Sequence, residues 1–459
     1  MKFRVFLAIM LCKALRLFSR AVHRGGTAMP GRFALKICPD LLKIISKDVK
    51  TVAVTGTNGK TTSSRMIEQA FKEAGKDYFA NRSGANLISG ITTEFVMNST
   101  AFGKPKKSYA VIECDEAAAR TVFGHIKPQV IVVTNVFRDQ LDRFGEITNT
   151  VNSIREGILG APDAVLCLNA DCSLTSSLAG SVPNRIVYYG INKGAVRETV
   201  GAGLSDASFC IKCKSKYEFD YITYAHLGGF RCPNCGYKRH VPDVSVDAVT
   251  EMTVQSSTAI IRVGEKNMRE IRINLPAVYN IYNAAGTFAA CLEMGISEET
   301  VADALSSFKC GFGRLERFSL GESEMTMMLI KNPAGCNRAI EFLESIKDEF
   351  VLAVCLNDRS ADGTDISWIW DAEFEKLGAI SDGISKVFVS GDRAEDMHVR
   401  IKYAGVSPEK ITVEHDYENL LTLCEEEKLP VYVIPTYTAM LELRKVAVKR
   451  CGGTDFWEG

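Results

Sequence analysis

The chain has 459 residues, 46% of them hydrophobic, which is enough for two or three domains with separate cores. Lys and Arg total 55 and Asp and Glu total 55, so no net positive charge exists to drive nucleic-acid binding. The 15 cysteines are odd in number and mostly isolated in apolar runs such as those holding Cys291 and Cys355; four stand in two C-x-x-C pairs, a usage that suits a reducing compartment rather than a disulfide framework.

Val5 to Cys12 is an apolar run ended by Lys13 and Arg16, too short to span a bilayer and lacking a convincing export cleavage site. Phe3, Phe6, Met10, Leu11, Ala14 and Leu17 recur at helical spacing. The pattern admits a helix packed on the domain that follows, which is the expected case. It also admits a helix on a membrane surface, with Lys2, Arg4, Lys13, Arg16 and Arg20 toward headgroups. Gly25-Gly26 and Pro30-Gly31 mark turns, and Pro39 to Ile45 a short helix.

Next comes the stretch around which the chain is organised, Thr51-Val-Ala-Val-Thr-Gly56-Thr57-Asn58-Gly59-Lys60-Thr61-Thr62. A β-branched run predicts a buried parallel strand, a glycine-containing loop follows, and Met66, Ala70, Phe71 and Ala74 predict a helix starting at Thr62. Strand, loop and helix form the anatomy of a phosphate loop: backbone N–H groups and the helix dipole hold an anion, Lys60 reaches terminal phosphates, and the Thr61 hydroxyl ligates Mg²⁺. Val54 stands where the strict G-x-x-x-x-G-K-[ST] pattern has glycine.

Asn81 to Asn86 and Gly90-Ile-Thr-Thr93 combine small and amide residues that let backbone approach a ligand. The strand Tyr109–Ile112 ends in Glu113-Cys-Asp115-Glu116, which puts carboxylates beside the loop; Asp115 and Glu116 equally suit a solvated helix start. Val130 to Asn135 and Ala164 to Asp171 add two strands with polar exits, as in a doubly wound sheet. Between about 206 and 240, Cys210-x-x-Cys213 and Cys232-x-x-Cys235 lie eighteen residues apart, the spacing of a zinc ribbon with four thiolates around one structural Zn²⁺. Asn280 and Asn283 share one face of a predicted helix, and Arg314 and Arg317 follow near Gly313. From 318 a second α/β unit runs, with strands Met325–Ile330, Phe350–Leu356, Val387–Ser390 and Val431–Ile434, each exiting into a polar loop; the acidic loop from Asn357 to Asp371 carries Asp358. Cys336 lacks the surroundings of an amidotransferase nucleophile and reads as core.

T-G-T-N-G-K-T-T resembles the phosphate loop of the Mur ligase and folylpolyglutamate synthetase superfamily. So do the segment Thr134-Asn to Asp142, with Gln140 in place of histidine, and the helix around Asn280 and Asn283. The four-cysteine insert, the roughly fifty residues before the loop and N-D-x-x-A-D-G-x-D-x-S-W-I-W-D narrow the resemblance to the MurT family of synthetase subunits. It implies a doubly wound, mostly parallel α/β ATPase domain over 1–317 with the zinc-ribbon insertion and a Rossmann-like α/β domain over 318–459. It implies ATP bound by Gly56, Thr57, Asn58, Gly59, Lys60, Thr61 and Thr62, adenine contacted by Asn280 and Asn283, phosphate reached by Arg314, and Mg²⁺ held by Thr61 and Glu113. The implied reaction is ATP-dependent amidation of D-glutamate on lipid II at the cytoplasmic face of the membrane. Ammonia would come from a separate glutamine amidotransferase subunit, GatD, which Asp358 would assist. A stand-alone folylpolyglutamate-type ligase is the alternative.

Overall fold

The computed structural model describes residues 2–21, 28–81, 85–137, 147–196, 207–253, 256–265, 267–308 and 314–451. The described chain forms two compact units that divide after Phe308.

The first unit is built on a nine-stranded sheet. Its strands are β1 (Lys50–Thr55), β2 (Tyr78–Ala80), β3 (Tyr109–Glu113), β4 (Val130–Val133), β5 (Val165–Asn169), β6 (Ile186–Ile191), β9 (Val244–Met252), β10 (Ser257–Val263) and β11 (Asn267–Ile273), while β7 (Glu218–Tyr224) and β8 (Leu227–Arg231) form a separate hairpin. The order is β11-β10-β9-β6-β5-β4-β1-β3-β2. Strands from β2 to β9 pair in parallel, and β10 and β11 add an antiparallel edge. β1 is buried at every position but Lys50, which explains its unbroken apolar sequence: helices cover both faces of a parallel sheet. Strand order reverses around β1, so the carboxyl ends of β1, β3 and β4 open a crevice of the kind in which α/β sheets bind ligands. The antiparallel edge was not legible in the sequence, because β11 is polar at four of its seven positions and exposed at five, Met268 among them.

Helices α1 (Lys2–Ala21), α2 (Ala28–Ile37), α3 (Leu41–Ile45), α4 (Lys60–Glu73), α5 (Ile88–Met97), α6 (Glu116–Ile126), α7 (Ile147–Leu159), α8 (Val278–Glu293) and α9 (Glu298–Ser307) belong to this unit. In α1 the packed stripe is Val5, Ala8, Ile9 and Cys12, all buried, whereas Phe3, Met10 and Leu17 of the expected stripe face outward. Gly90-Ile-Thr-Thr93, expected as a ligand-approach loop, lies inside α5 instead. Its Thr92 and Thr93 hydroxyls donate to Ile88 O and Ser89 O, and a Cβ on Gly31 of α2 would stand 1.9 Å from Ser89 O. The small residues there serve a close helix crossing.

The second unit carries a six-stranded sheet in the order β12-β13-β17-β14-β15-β16, from β12 (Arg314–Leu320), β13 (Ser323–Met328), β14 (Phe350–Cys355), β15 (Ile384–Ser390), β16 (Ile411–Val413) and β17 (Val431–Pro435). All pairs are parallel except β12 with β13. Separate apolar clusters lie on its two faces, one around Leu352, Val354 and Ile340, the other around Val351, Ala353 and Leu443. The boundary expected at 317/318 therefore falls earlier, since Arg314 to Arg317 already pair with β13.

Candidate active site and metal centre

At the end of β1 the chain turns through Gly56 (φ +117°) and Gly59 (φ +86°), both in the left-handed region that side chains rarely adopt. Space as well as strain demands glycine: a Cβ on Gly56 would stand 2.4 Å from Thr134 Oγ1, and one on Gly59 2.2 Å from Asn283 Oδ1. The end of β4 clamps the loop between them. Thr57 N donates to Asn135 O (2.9 Å), Asn58 N to Asn135 Oδ1 (3.0 Å), and Thr134 Oγ1 and Asn135 Nδ2 donate to Asn58 O (2.7 and 3.0 Å). Phe137 exchanges a second pair with Thr57, its N–H donating to Oγ1 at 3.1 Å and Oγ1 donating to its carbonyl at 3.3 Å. Val54, at the position of the strict motif's first glycine, is an interior strand residue paired with Glu113, and the turn begins two residues later at Gly56.

Lys60 opens α4 and is buried. Its ammonium donates to Gly56 O (2.6 Å), Thr57 O (3.3 Å) and Glu116 Oε1 (2.7 Å). Burial alone pushes its pKa down, but Glu116, with Glu113 and Asp115, outweighs that and raises it above the ordinary lysine value. Asp115 caps α6, accepting from Ala117 N at 3.0 Å, while Glu116 lies against Lys60; both are buried, so Asp115 does start the helix but neither carboxylate is solvated. Glu113 ends β3 beside the loop, and the Asn81 side chain holds its backbone from both sides, accepting from Glu113 N and donating to Glu113 O, each at 2.8 Å. Thr61 and Thr62 follow Lys60 on the first turn of α4, Thr61 half-buried.

The structure brings Asn280 and Asn283 of α8 to the same loop. Asn283 Oδ1 accepts from Ser63 Oγ (3.3 Å), Asn283 Nδ2 donates to Asn280 Oδ1 (3.3 Å), and Asn280 Nδ2 to Pro276 O (2.6 Å). Arg82 to Gly84, Arg138 to Gly145 with Gln140, and the Arg314 side chain lie outside the described residues.

The four cysteines converge with all sulfurs within 4.8 Å of one another. Cys210 and Cys235 sulfurs are 3.6 Å apart, Cys213 and Cys232 3.4 Å. Each pair closes a tight knuckle, with Lys214 N donating to Cys210 O and Gly236 N to Cys232 O, and left-handed Lys214 and Gly236 making the turns. Hydrogen bonds from Ser215 lower the Cys213 thiol to about 6, whereas, against a hydrogen bond from Tyr237, burial and the neighbouring Cys232, Cys210 and Cys213 sulfurs raise Cys235 to about 12. Four sulfurs at these separations fit a closed tetrahedral metal site.

This ribbon is fastened to the first unit. Gly228 N donates to Asp171 O (3.0 Å), Tyr237 OH to Ser173 O (2.7 Å) and Tyr221 OH to Ile191 O (2.9 Å). The buried Asp171 carboxylate accepts from Arg239 Nε and from Tyr282 OH of α8, each at 2.6 Å; burial pushes its pKa up although Arg239 pulls against it. At the hairpin turn His226 lies 4.4 Å, ring to ring, from Phe137, the residue that pins Thr57.

In the second unit, Asn357 and Asp362 tie the strand ends together. Asn357 N–H donates to Thr436 Oγ1, its amide to Thr438 Oγ1, and Asp362 accepts from Thr438 N at 2.7 Å. Asp392 N donates to Asn357 Oδ1 (2.8 Å). Asp358 between them is half-buried on the rim, 3.7 Å from Arg393 Nη1. Arg359 turns away to Asp392 and Glu442. Cys336 is fully buried.

Residues 54–236 match the Mur ligase middle domain and residues 329–440 the MurT ligase C-terminal domain. The lipid II isoglutaminyl synthase (glutamine-hydrolyzing) subunit MurT of Streptococcus pneumoniae is 35% identical over 93% of this chain and 93% of its own. The chain belongs to the MurT family. The MurT subunit of Staphylococcus aureus strain COL is likewise 35% identical, over 95% of this chain and 96% of its own. Among solved structures, a pseudomurein peptide ligase type C from Methanothermus fervidus shares the Mur ligase fold with a TM-score of 0.66 at 19% identity, over 90% of this chain and 80% of that one.

Within this MurT-family chain, sequence reading missed Glu116 as the partner of Lys60, Asn81 as the brace of Glu113, and Asp171 as the joint between ribbon and sheet. A polar residue two or three positions beyond a buried strand was the signal available at Asp171 and Glu116, but nothing in spacing named its partner. Asn81 sits in a polar turn that many surface loops would also show.

Proposed function

We propose that this protein uses ATP to activate the α-carboxyl of D-glutamate in the stem peptide of lipid II as an acyl phosphate, which ammonia converts to D-isoglutamine. The observation that carries the reading is the buried Lys60 ammonium, set between the glycine loop and the carboxylates at the end of β3. A carboxylate at neutral pH has no leaving group, and phosphorylation supplies one. With the Thr57 and Asn58 N–H groups held by Asn135, the N–H groups at the start of α4 would cradle the phosphates, with Lys60 stabilising charge on the transferring phosphoryl group. Thr61 and Glu113 would hold Mg²⁺, which would supply positive charge to offset that of the phosphates. Asn283, whose Oδ1 crowds Gly59, and Asn280 beside it would contact the adenine, and Arg314 is assigned to phosphate by family resemblance. The acceptor and the amide donor are inferred from the names of the MurT relatives, which also support a second subunit; GatD is the amidotransferase expected. Zn²⁺ is the metal proposed for Cys210, Cys213, Cys232 and Cys235, structural because four thiolates leave no open position.

The test is amidation of lipid II by the purified chain with ATP, glutamine and a glutamine amidotransferase subunit, beside the Lys60→Ala variant. Product formation should fall by at least 100-fold in the variant, the scale of other lost electrostatic contacts to a transition state. Near-normal turnover would sink the nucleotide assignment. Glutamate-dependent ATP hydrolysis on a folate without any second subunit would instead support the stand-alone ligase.

A further inference from the structure

The outer face of α1 has no partner within the described residues. The helix packs through Val5, Ala8, Ile9 and Cys12, which are buried. On the opposite side Phe3 is 76% exposed, Leu17 63% and Phe18 66%, with Leu7 and Met10 also exposed. These positions recur at the spacing of one continuous helical face. Phe102, 80% exposed, stacks on Phe6 at 5.8 Å and widens the apolar surface beyond the helix.

Charge selects the occupant. The chain as a whole is neutral, yet eight basic and no acidic residues precede Asp40. At 100° per residue, Arg4 borders the apolar face on one side and Lys2 on the other, and both are exposed. The Lys13 ammonium on Lys2's side donates to Ser99 O at 2.5 Å. A second copy docking through the same face would set like charge against like. An anionic lipid surface answers both features at once, the acyl boundary taking the aromatic and aliphatic side chains and the headgroups the cations. No described helix is long and apolar enough to cross a membrane, so the helix would lie in the interface rather than span it.

We propose that α1 docks this protein on an anionic phospholipid bilayer through Phe3, Leu7, Met10, Leu17 and Phe18, with Lys2 and Arg4 at the headgroups. The face is independent of the phosphate loop and of the proposed reaction; it supplies a place for that reaction to occur on a lipid-linked acceptor.

The experiment is co-sedimentation of the full chain with phosphatidylcholine vesicles with and without phosphatidylglycerol, in the absence of nucleotide and substrate. Binding is expected to the anionic vesicles and to weaken at least tenfold between 50 mM and 500 mM salt, the cationic border being screened. Phe3→Ser with Met10→Ser and Leu17→Ser should weaken it at least tenfold at constant circular dichroism. Lys2→Glu with Arg4→Glu, at exposed positions that leave the packed stripe intact, provides a second reading should the triple variant not fold. The proposal is overturned if the wild-type chain ignores anionic vesicles, or if the charge-reversed chain binds them equally well. Self-association abolished by the triple variant, without vesicle binding, would assign the face to a second copy instead. Lipid binding without substrate leaves the proposed amidation untouched, and loss of turnover in Lys60→Ala leaves docking untouched.

Discussion

Lys60 and Glu116 form a buried ion pair, 2.7 Å from Nζ to Oε1, joining the first residue of α4 to the first residue of α6. The carboxylate neutralises the ammonium that the proposed reaction would aim at phosphate. Glu116→Ala would leave a buried ammonium short of its nearest counter-charge, and losing one member of such a pair costs about 3 kcal/mol or more. The ligand-free variant should unfold at a lower temperature than wild type, and saturating Mg²⁺-ATP should recover more of the loss than it adds to wild type. An unchanged melting temperature without nucleotide would show that the pair contributes nothing to the fold.

The four-cysteine ribbon is linked to the phosphate loop through His226, Phe137 and Thr57. Cys232→Ser should therefore abolish stoichiometric zinc, measured by elemental analysis, and lower stability, since closed thiolate sites contribute folding free energy directly. Because Phe137 rests against the hairpin, ATP affinity should also weaken, by a smaller factor. Zinc-free wild-type protein with normal stability would refute the assignment.

His226 gives the fold a pH dependence. Burial lowers its pKa to about 4, below the ordinary 6.5. Below pH 6.5 the unfolded chain gains a proton that the folded chain refuses, so the stability present above that pH is lost as pH falls toward 4. Between pH 7.5 and 5 the loss from this group should be about 2 kcal/mol. Urea unfolding of wild type and His226→Gln at both pH values measures it, and identical pH slopes would rule the group out.

Asp358 distinguishes a partnered amidotransferase from a stand-alone ligase. Its neighbours Asn357 and Asp362 are committed to holding strand ends together, whereas Asp358 sits on the rim, 3.7 Å from Arg393 Nη1. If it supports a histidine of the glutaminase subunit, Asp358→Asn should preserve complex formation yet reduce glutamine hydrolysis by at least tenfold, because an amide cannot stabilise an imidazolium. Free ammonia should then restore part of the amidation. Glutamine hydrolysis at the wild-type rate, with amidation lost even in ammonia, would move Asp358 to the synthetase chemistry.

Much of the architecture was legible before any coordinates, for local reasons. Buried parallel strands write themselves as unbroken apolar runs, as at Val52 to Val54 and Val351 to Val354, and two C-x-x-C knuckles carry their own geometry. The α1 stripe misled because both sides of that helix are apolar, so periodicity could not say which side packs. Gly90 to Thr93 misled because small residues serve close helix crossings and ligand approach equally well.

By itself, then, the sequence determined the elements whose cause lies within a few neighbouring residues: the strands, the loop glycines Gly56 and Gly59, the cysteine knuckles and the family resemblance. Tertiary structure alone decided which polar group meets which. Glu116 reaches Lys60 across 56 positions, Asn81 reaches Glu113 across 32, and Asp171 reaches Arg239 across 68 and Tyr282 across 111. Side-chain pairing at such separations follows from strand order and helix placement, and the energy that sets those is summed over the core rather than encoded in the paired residues.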